Sequence, residues 1–394
     1  MNLIEVKSAK DIREFLRLPV GLYKGDNHWI RPLDKDIEAV FDPRVNKFFS
    51  HGDCVRWILI EDGKTIGRIA AFVNENTASQ DTSTGHDLRV GGCGFFECIN
   101  DQQAANFLFD KAKEWLSAKG CNSFDGPINF GERLSFWGLL IEGREYDPNF
   151  NMPYTHSYYQ DLFENYGFEL YFKQLTFGRE VMDPLHPTFK RVSDRLFADP
   201  DLTFTNLDLK HLDKFTEDFR YVYNKAWAGH EGVKEMSLEQ AQSQFKELKQ
   251  IVDPRIVIFA YHKDEPIAFY VNIPELNQVL KKVNSPKLDL ISKLKFAWHL
   301  KWGKTTNKAI GLVFGVIPEY QRRGIMIGLV EYMRIQVQDV MKGRYTDYEM
   351  NWIGDFNPKM VKISQGIGSV RKVHHTYRYL IDKSIPFERC KDVL

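Results

Sequence analysis

The chain has 394 residues and a mass of 46.0 kDa, enough for two ordinary domains. Lys plus Arg and Asp plus Glu each number 53, and the isoelectric point is about 7.2, which excludes nucleic-acid binding driven by overall charge. No apolar run approaches the roughly 18 residues of a spanning helix, and residues 1–13 alternate charged and apolar side chains without a signal-peptide stretch, so a cytoplasmic protein is expected.

Five cysteines (Cys54, Cys93, Cys98, Cys121, Cys390) show no CxxC spacing, so neither a disulfide framework nor a zinc site is expected. The adjacent His374 and His375 would point to opposite faces of a strand and read as packing or surface residues. Aromatic residues reach 14%, which fits two ring-rich cores or a large apolar cleft.

In chain order, residues 62–72 predict a turn entering an apolar strand. Residues 94–99 predict a strand feeding a helix over 102–119, with Asp101 placed to cap it. Residues 125–132, 136–138 and 153–159 then form a long segment dense in rings. It fits a substrate pocket between two units or a surface loop stapled by aromatics. Gly167 opens an apolar-aromatic strand. Residues 263–271 repeat the first turn and strand, with Ile66 and Ile267 lying 201 positions apart.

Residues 280–304 carry seven lysines (Lys281, Lys282, Lys287, Lys293, Lys295, Lys301, Lys304) against one acid, Asp289. From Leu288 they predict a helix with Leu290, Ile291, Leu294, Ala297, Trp298 and Trp302 on one face, flanked by Lys293 and Lys295. Phe296 and Leu300 fall on the other side. Such a helix either rests on a membrane surface or packs its tryptophans onto the domain.

Residues 311–317 predict a buried strand, and 322–342 a helix striped by Met326, Leu329, Val330, Met333, Val337, Val340 and Met341. A strand over 344–353, a helix over 358–365 and a strand over 370–381 follow, the last opened by Gly368. Gly167 and Gly368 are again 201 positions apart, whereas Phe96 and Phe314 are 218 apart. The second half therefore holds about 17 extra residues before its strand–helix unit. Two similar α/β units are expected, 1–195 and 196–394, meeting near residues 185–200.

The sharpest chemical signal is the turn Val316-Ile317-Pro318-Glu319-Tyr320-Gln321-Arg322-Arg323-Gly324-Ile325-Met326. A helix start offers free backbone N–H groups and the positive end of the helix dipole. Gly324 lets a phosphate approach closely, and Arg322 and Arg323 add positive charge. A basic surface turn would have the same composition. In its setting the segment resembles the acyl-CoA pyrophosphate loop, Q/R-x-x-G-x-G/A, of the GNAT acyltransferase superfamily. Gln321 and Gly324 match, while Met326 departs from the small final residue.

Downstream, Asn357 and Gly368 match the family's helix start and turn, but Ser364 stands where the family has tyrosine. That departure puts protonation of the CoA thiolate by a tyrosine in doubt. The resemblance to a single GNAT domain covers about residues 200–394. In the first half, Asn100-Asp101-Gln102 has neither arginine nor glycine, as in a degenerate GNAT-like unit without a pyrophosphate loop. Nearly the full chain also looks like a group of bacterial tandem-GNAT proteins, through residues 22–30, Asn46-x-Phe48-Phe49-x-His51 and residues 355–360.

The resemblance implies two GNAT-like units, each a mixed, mostly antiparallel sheet flanked by helices. It implies acyl-CoA, acetyl or longer, as co-substrate of an N-acyltransferase, with no metal and no nucleic acid. Relatives of the bacterial group are linked to N-acylation of long-chain lipid amines such as sphingoid bases, so the resemblance implies a small-molecule or lipid amine acceptor. Contact with the inner membrane face through 280–304 would accompany a lipid acceptor.

The oxyanion donor in the family is a main-chain N–H near Val316. Glu349, on one strand face with Asp347 and Asn351, is a candidate base if burial raises its pKa. The alternative is a glutamate paired with Lys or Arg. His230 is the second choice of base. Asn357 is a candidate for holding ordered water, and Ser364 a poor acid whose loss should matter little. The rival readings are a Fem-like aminoacyl transferase, which needs no CoA loop, and a non-enzymatic acyl-CoA-binding or scaffold protein.

Overall fold

The computed structural model describes residues 1–81, 86–227, 235–303 and 305–392. The first half contributes β1 (Asn2–Glu5), β2 (Gly52–Glu61), β3 (Lys64–Asn74), β4 (Ser79–Asp81), β5 (Asp87–Cys98), β6 (Ser123–Gly126), β7 (Leu139–Glu142) and β8 (Glu169–Glu180). The second contributes β9 (Leu202–Asn206), β10 (Val257–His262), β11 (Glu265–Pro274), β12 (Lys308–Val316), β13 (Asp347–Gly354) and β14 (Ser369–Leu380). One sheet runs β1-β2-β3-β5-β6-β14-β8-β13-β12-β11-β10-β9, with β4 on β5 and β7 on β14. Among the described residues only β5/β6 and β12/β13 pair in parallel. The mixed, mostly antiparallel sheet flanked by helices expected of each unit is present.

The halves exchange their last strands. β8 belongs to the first half in chain order but pairs with β13, from Asp347↔Glu180 to Gly354↔Gln174. β14 belongs to the second and pairs with β6, from Tyr377↔Gly126 to Leu380↔Ser123. The two exchanged strands also pair with each other at the centre. A division at residue 195 is therefore crossed three times along the sheet, at β6–β14, β14–β8 and β8–β13.

The two glycines 201 positions apart have different physical reasons. Gly167 ends the helix Tyr159–Tyr166 at a φ of 104°, open to residues without a Cβ. At Gly368 a Cβ would stand 2.5 Å from the Gly178 oxygen, so the close approach of the two backbones requires the missing side chain.

The helix Gln102–Ala118, capped by Asp101 as expected (Ala104 N to Oδ1, 2.8 Å), buries Leu108, Phe109, Ala112 and Leu116 over the first half. The helix Ile325–Ile335 buries Leu329 and Met333 over the second. The striped helix expected over 322–342 is divided: a 3-10 turn Pro318–Arg323, left-handed Gly324, the α-helix, then a π-turn Gln336–Val340. Adjacent His374 and His375 are buried in β14, and burial lowers both imidazoles to about 4. They are packing residues.

Candidate functional site

The chemistry of the second half begins where β12 and β13 part. Their parallel pairing ends at Gly311↔Met350, yet both strands continue, to Val316 and Gly354. A break in the β11–β12 register between Val271↔Val313 and Asn272↔Gly311 leaves Leu312 as an extra residue, the bulge that bends β12 away. The wedge holds a cleft of about 220 Å³. Its walls are residues 311–314 and 350–353 of the strands, Met326, Leu329 and Val330 of one helix, and Met360, Ile363 and Ser364 of another. Gly311 is required there, because a Cβ would lie 2.3 Å from the Tyr348 hydroxyl. Tyr348 in turn bonds Tyr270 and, at 3.0 Å, Asn272 Oδ1.

The open edge of β12 supplies hydrogen-bond donors. Ile317 N–H donates to Ile267 O across β11. Antiparallel alternation then turns the Phe314 and Val316 amides the other way, toward the wedge. Gln321 Nε2 donates to Val316 O at 3.2 Å, on that same edge. Gln321 thus ties the turn to the strand, and Arg322 and Arg323 remain exposed beside the helix start. Arg323 lies 4.7 Å from the Tyr320 ring centre, and Tyr320 bonds His262 Nδ1 at 2.9 Å. Gly324 has a φ of 82°, and a Cβ there would stand 2.8 Å from Val192 Cγ1. Both conformation and space demand glycine.

Asn357 is accounted for by the fold: its Oδ1 accepts from Met360 N at 3.1 Å and caps the helix Pro358–Gln365. Ser364, on the same helix, is different. It is 1% exposed, lines the cleft, and its hydroxyl has no hydrogen-bond partner among the described residues. A buried hydroxyl facing an apolar wedge fits a polar atom of a bound molecule. With the helix start, the two arginines and the open strand edge, the residues present fit acyl-CoA.

Of the two readings of Glu349, the structure shows the carboxylate paired with lysine, with its pKa lowered and not raised. Alternation does place it on one face with Asp347 and Asn351, but it is fully buried and doubly paired. Its oxygens lie 2.9 Å from Lys308 Nζ and 2.6 Å from Lys372 Nζ. Burial alone would raise the carboxyl; the Lys372 and Lys308 ammoniums overcome that and hold it at about 2. A carboxylate this strongly held is a charge anchor and a weak base.

Arg371 adds a contact at 3.4 Å and pairs with Asp347, which Lys308 also meets at 3.3 Å. Lys372 bonds Asn149 Oδ1 at 3.4 Å, and Asn149 bonds Asn351 at 2.7 Å. Asn351 also lines the cleft, so the network reaches it. Beside it, burial raises the Glu275 carboxyl to about 7, and Oε2 has no partner among the described residues.

Asn149, Glu275, Lys308 and Lys372 were not singled out in the sequence. Lys372 gives no signal of its own in β14, where Arg371, Arg378 and two histidines are equally polar neighbours. His230 lies outside the described residues.

The ring-rich segment packs its aromatics in a buried cluster and lines a cleft within the first half, not between the two units. Phe130 and Trp137 pack with Val40, Phe72 and Ile128. Phe136, Gly138, Leu139 and residues 152–155 line a smaller first-half cleft of about 80 Å³. Glu97 and Arg68 meet there, 3.5 Å apart, with the Tyr23 and Tyr159 hydroxyls donating to the carboxylate.

No family model matches the chain. Over 380 residues, 96% of each chain, it is 26% identical to the bacterial ceramide synthase of Caulobacter vibrioides (strain NA1000 / CB15N). Over 369 residues it is 26% identical to Protein YghO of Escherichia coli (strain K12), covering 92% of this chain and 90% of that one. Among solved structures it is similar to a GCN5-related N-acetyltransferase from Sphaerobacter thermophilus, over 98% of both chains at 10% identity and a TM-score of 0.52. It is also similar to a tandem GNAT protein from the clavulanic acid biosynthesis pathway, over 98% of this chain and 99% of that one, at 7% identity and a TM-score of 0.54. The fold is that of tandem GNAT proteins.

Proposed function

We propose that the chain moves an acyl group from acyl-CoA to an amine, and that the acceptor is a long-chain lipid amine. The observation that carries the reading is the wedge between β12 and β13, which joins an apolar cleft to a helix start bearing Arg322 and Arg323. Kinship with a protein named as a ceramide synthase supports the lipid acceptor.

In this reading the helix start and the arginine pair hold the pyrophosphate. The Phe314 and Val316 amides donate to the thioester oxygen as it gains charge. Asn351 orients the amine. The amine nitrogen forms the new bond to the carbonyl carbon as the carbon–sulfur bond breaks, and the amine proton passes through water to the thiolate. Ser364 donates a hydrogen bond to the sulfur without ionising. Glu349 positions Lys308 and Lys372.

Thiol release from acyl-CoA, measured with sphingoid-type and short soluble amines, tests the reaction. Release with the long-chain amine, lost together with CoA affinity when Arg322→Glu and Arg323→Glu are combined, is expected. Tight CoA binding without thiol release on any amine would leave a binding protein and end the enzymatic reading.

A further inference from the structure

The helix Leu290–Lys301 exposes the side that an ordinary helix would bury. Leu290, Ile291, Leu294, Trp298 and Trp302 are 74, 65, 65, 55 and 69% exposed. At 3.6 residues per turn these five fall within an arc of about 120°. Burial is supplied by the opposite side. Leu300 and Phe296 pack against Leu276, Val279 and Val283 of the preceding helix, and Phe296 also meets Ile30 and Leu33 of the first half. The helix is therefore fixed to the body by one apolar face while a second, larger one is free.

Charge says what covers the free face. Lys293, Lys295 and Lys301 are exposed around it, and none of them forms an ion pair among the described residues. The single acid of the segment, Asp289, is engaged in capping, accepting from Ser292 N at 2.8 Å. Against a chain whose formal charge is zero this is a local concentration of positive charge. A second copy docked across a two-fold axis would set lysine against lysine. Anionic headgroups would neutralise them, and tryptophan suits the boundary between headgroups and acyl chains.

We infer that this helix docks the protein on an anionic bilayer, with its five apolar side chains below the headgroups and its lysines among the phosphates. The inference stands apart from the chemistry proposed above, since a vesicle surface can be bound whether or not any amine is acylated. The inner side of the helix packs in the same cluster as Phe150, whose neighbour Asn149 bonds Asn351 at the cleft.

Sedimentation with vesicles of phosphatidylcholine and phosphatidylglycerol, and with phosphatidylcholine alone, tests it at low salt and at about 1 M salt, where the Debye length falls to about 3 Å. The wild type should pellet with the anionic vesicles at low salt and be released by high salt. Trp298→Ser with Trp302→Ser should weaken binding at least tenfold. Lys293→Glu, Lys295→Glu and Lys301→Glu together should weaken it about a hundredfold. These positions are exposed, so thermal unfolding should match the wild type. A wild type that stays in the supernatant, binds neutral vesicles equally, or pellets as well after either set of substitutions would overturn the inference. So would a dimer in sedimentation velocity that the tryptophan pair dissolves, because the face would then belong to a second copy.

Discussion

Replacing Glu349 by glutamine separates two roles that the sequence alone leaves equal. As a general base, Glu349→Gln would lower turnover about a hundredfold and leave the fold intact. As the anchor of a buried network, its loss strands Lys372 and Lys308, whose side chains are only 3% and 9% exposed. Breaking such a pair costs about 3–5 kcal/mol. The carboxyl's fall from its usual 4.5 to about 2 gives about 3 kcal/mol independently.

Because the folded value is depressed, this stability is fully present above pH 4.5 and is lost as pH falls toward 2. Thermal unfolding should therefore show Glu349→Gln melting several degrees lower at pH 7, with the gap closing as the pH is taken toward 2. CoA affinity, measured by calorimetry at a temperature where the variant is folded, should be unchanged. A variant that melts with the wild type at pH 7 and yet loses turnover a hundredfold would refute the anchor role.

Gly324→Ala should lose about 1–2 kcal/mol in chemical denaturation, since φ is 82° and Val192 blocks the Cβ; a neutral result would mean the turn relaxes. Ser364→Ala should raise the melting temperature slightly, because an unpartnered buried hydroxyl is removed, while slowing thiol release by no more than a few-fold; a melting temperature that falls would show that the hydroxyl already has a partner. For Glu275, burial raises the folded carboxyl from 4.5 to about 7, so the protein loses stability as pH rises between those values. Glu275→Gln should accordingly gain melting temperature over the wild type at pH 8 relative to pH 5, and a pH-independent difference would place the ionisation elsewhere.

What the sequence disclosed was local. The turn–strand at 62–72, the capped helix after Asp101 and the loop at Gln321–Gly324 depend on neighbours a few positions away, and the structure holds each of these elements. Alternation grouped Asp347, Glu349 and Asn351 correctly, because strand period is a property of the strand itself. The charge on that face was not legible, since Lys308 and Lys372 come from β12 and β14, 41 and 23 positions away. The strand exchange was hidden for the same reason: nothing in residues 169–180 says which edge they will join. Phe296 and Leu300 lie off the apolar stripe of the helix at 290–301. They are its buried side, and the cleaner stripe is the exposed one.

The exchange of β8 and β14 also governs how the chain folds as it is made. The β6 edge of the first half is completed by β14, with Tyr377 opposite Gly126. Those partners leave the ribosome about 250 residues apart, roughly ten to fifty seconds at ordinary rates of synthesis. For that interval β8, whose partners β13 and β14 are both made later, is unpaired, and the β6 edge is open. β6 is only four residues long, which keeps that edge short while it waits. Nascent first halves on neighbouring ribosomes would each offer the same gap, so the timing of elongation through residues 180–380 sets how long this protein is vulnerable to pairing with the wrong chain.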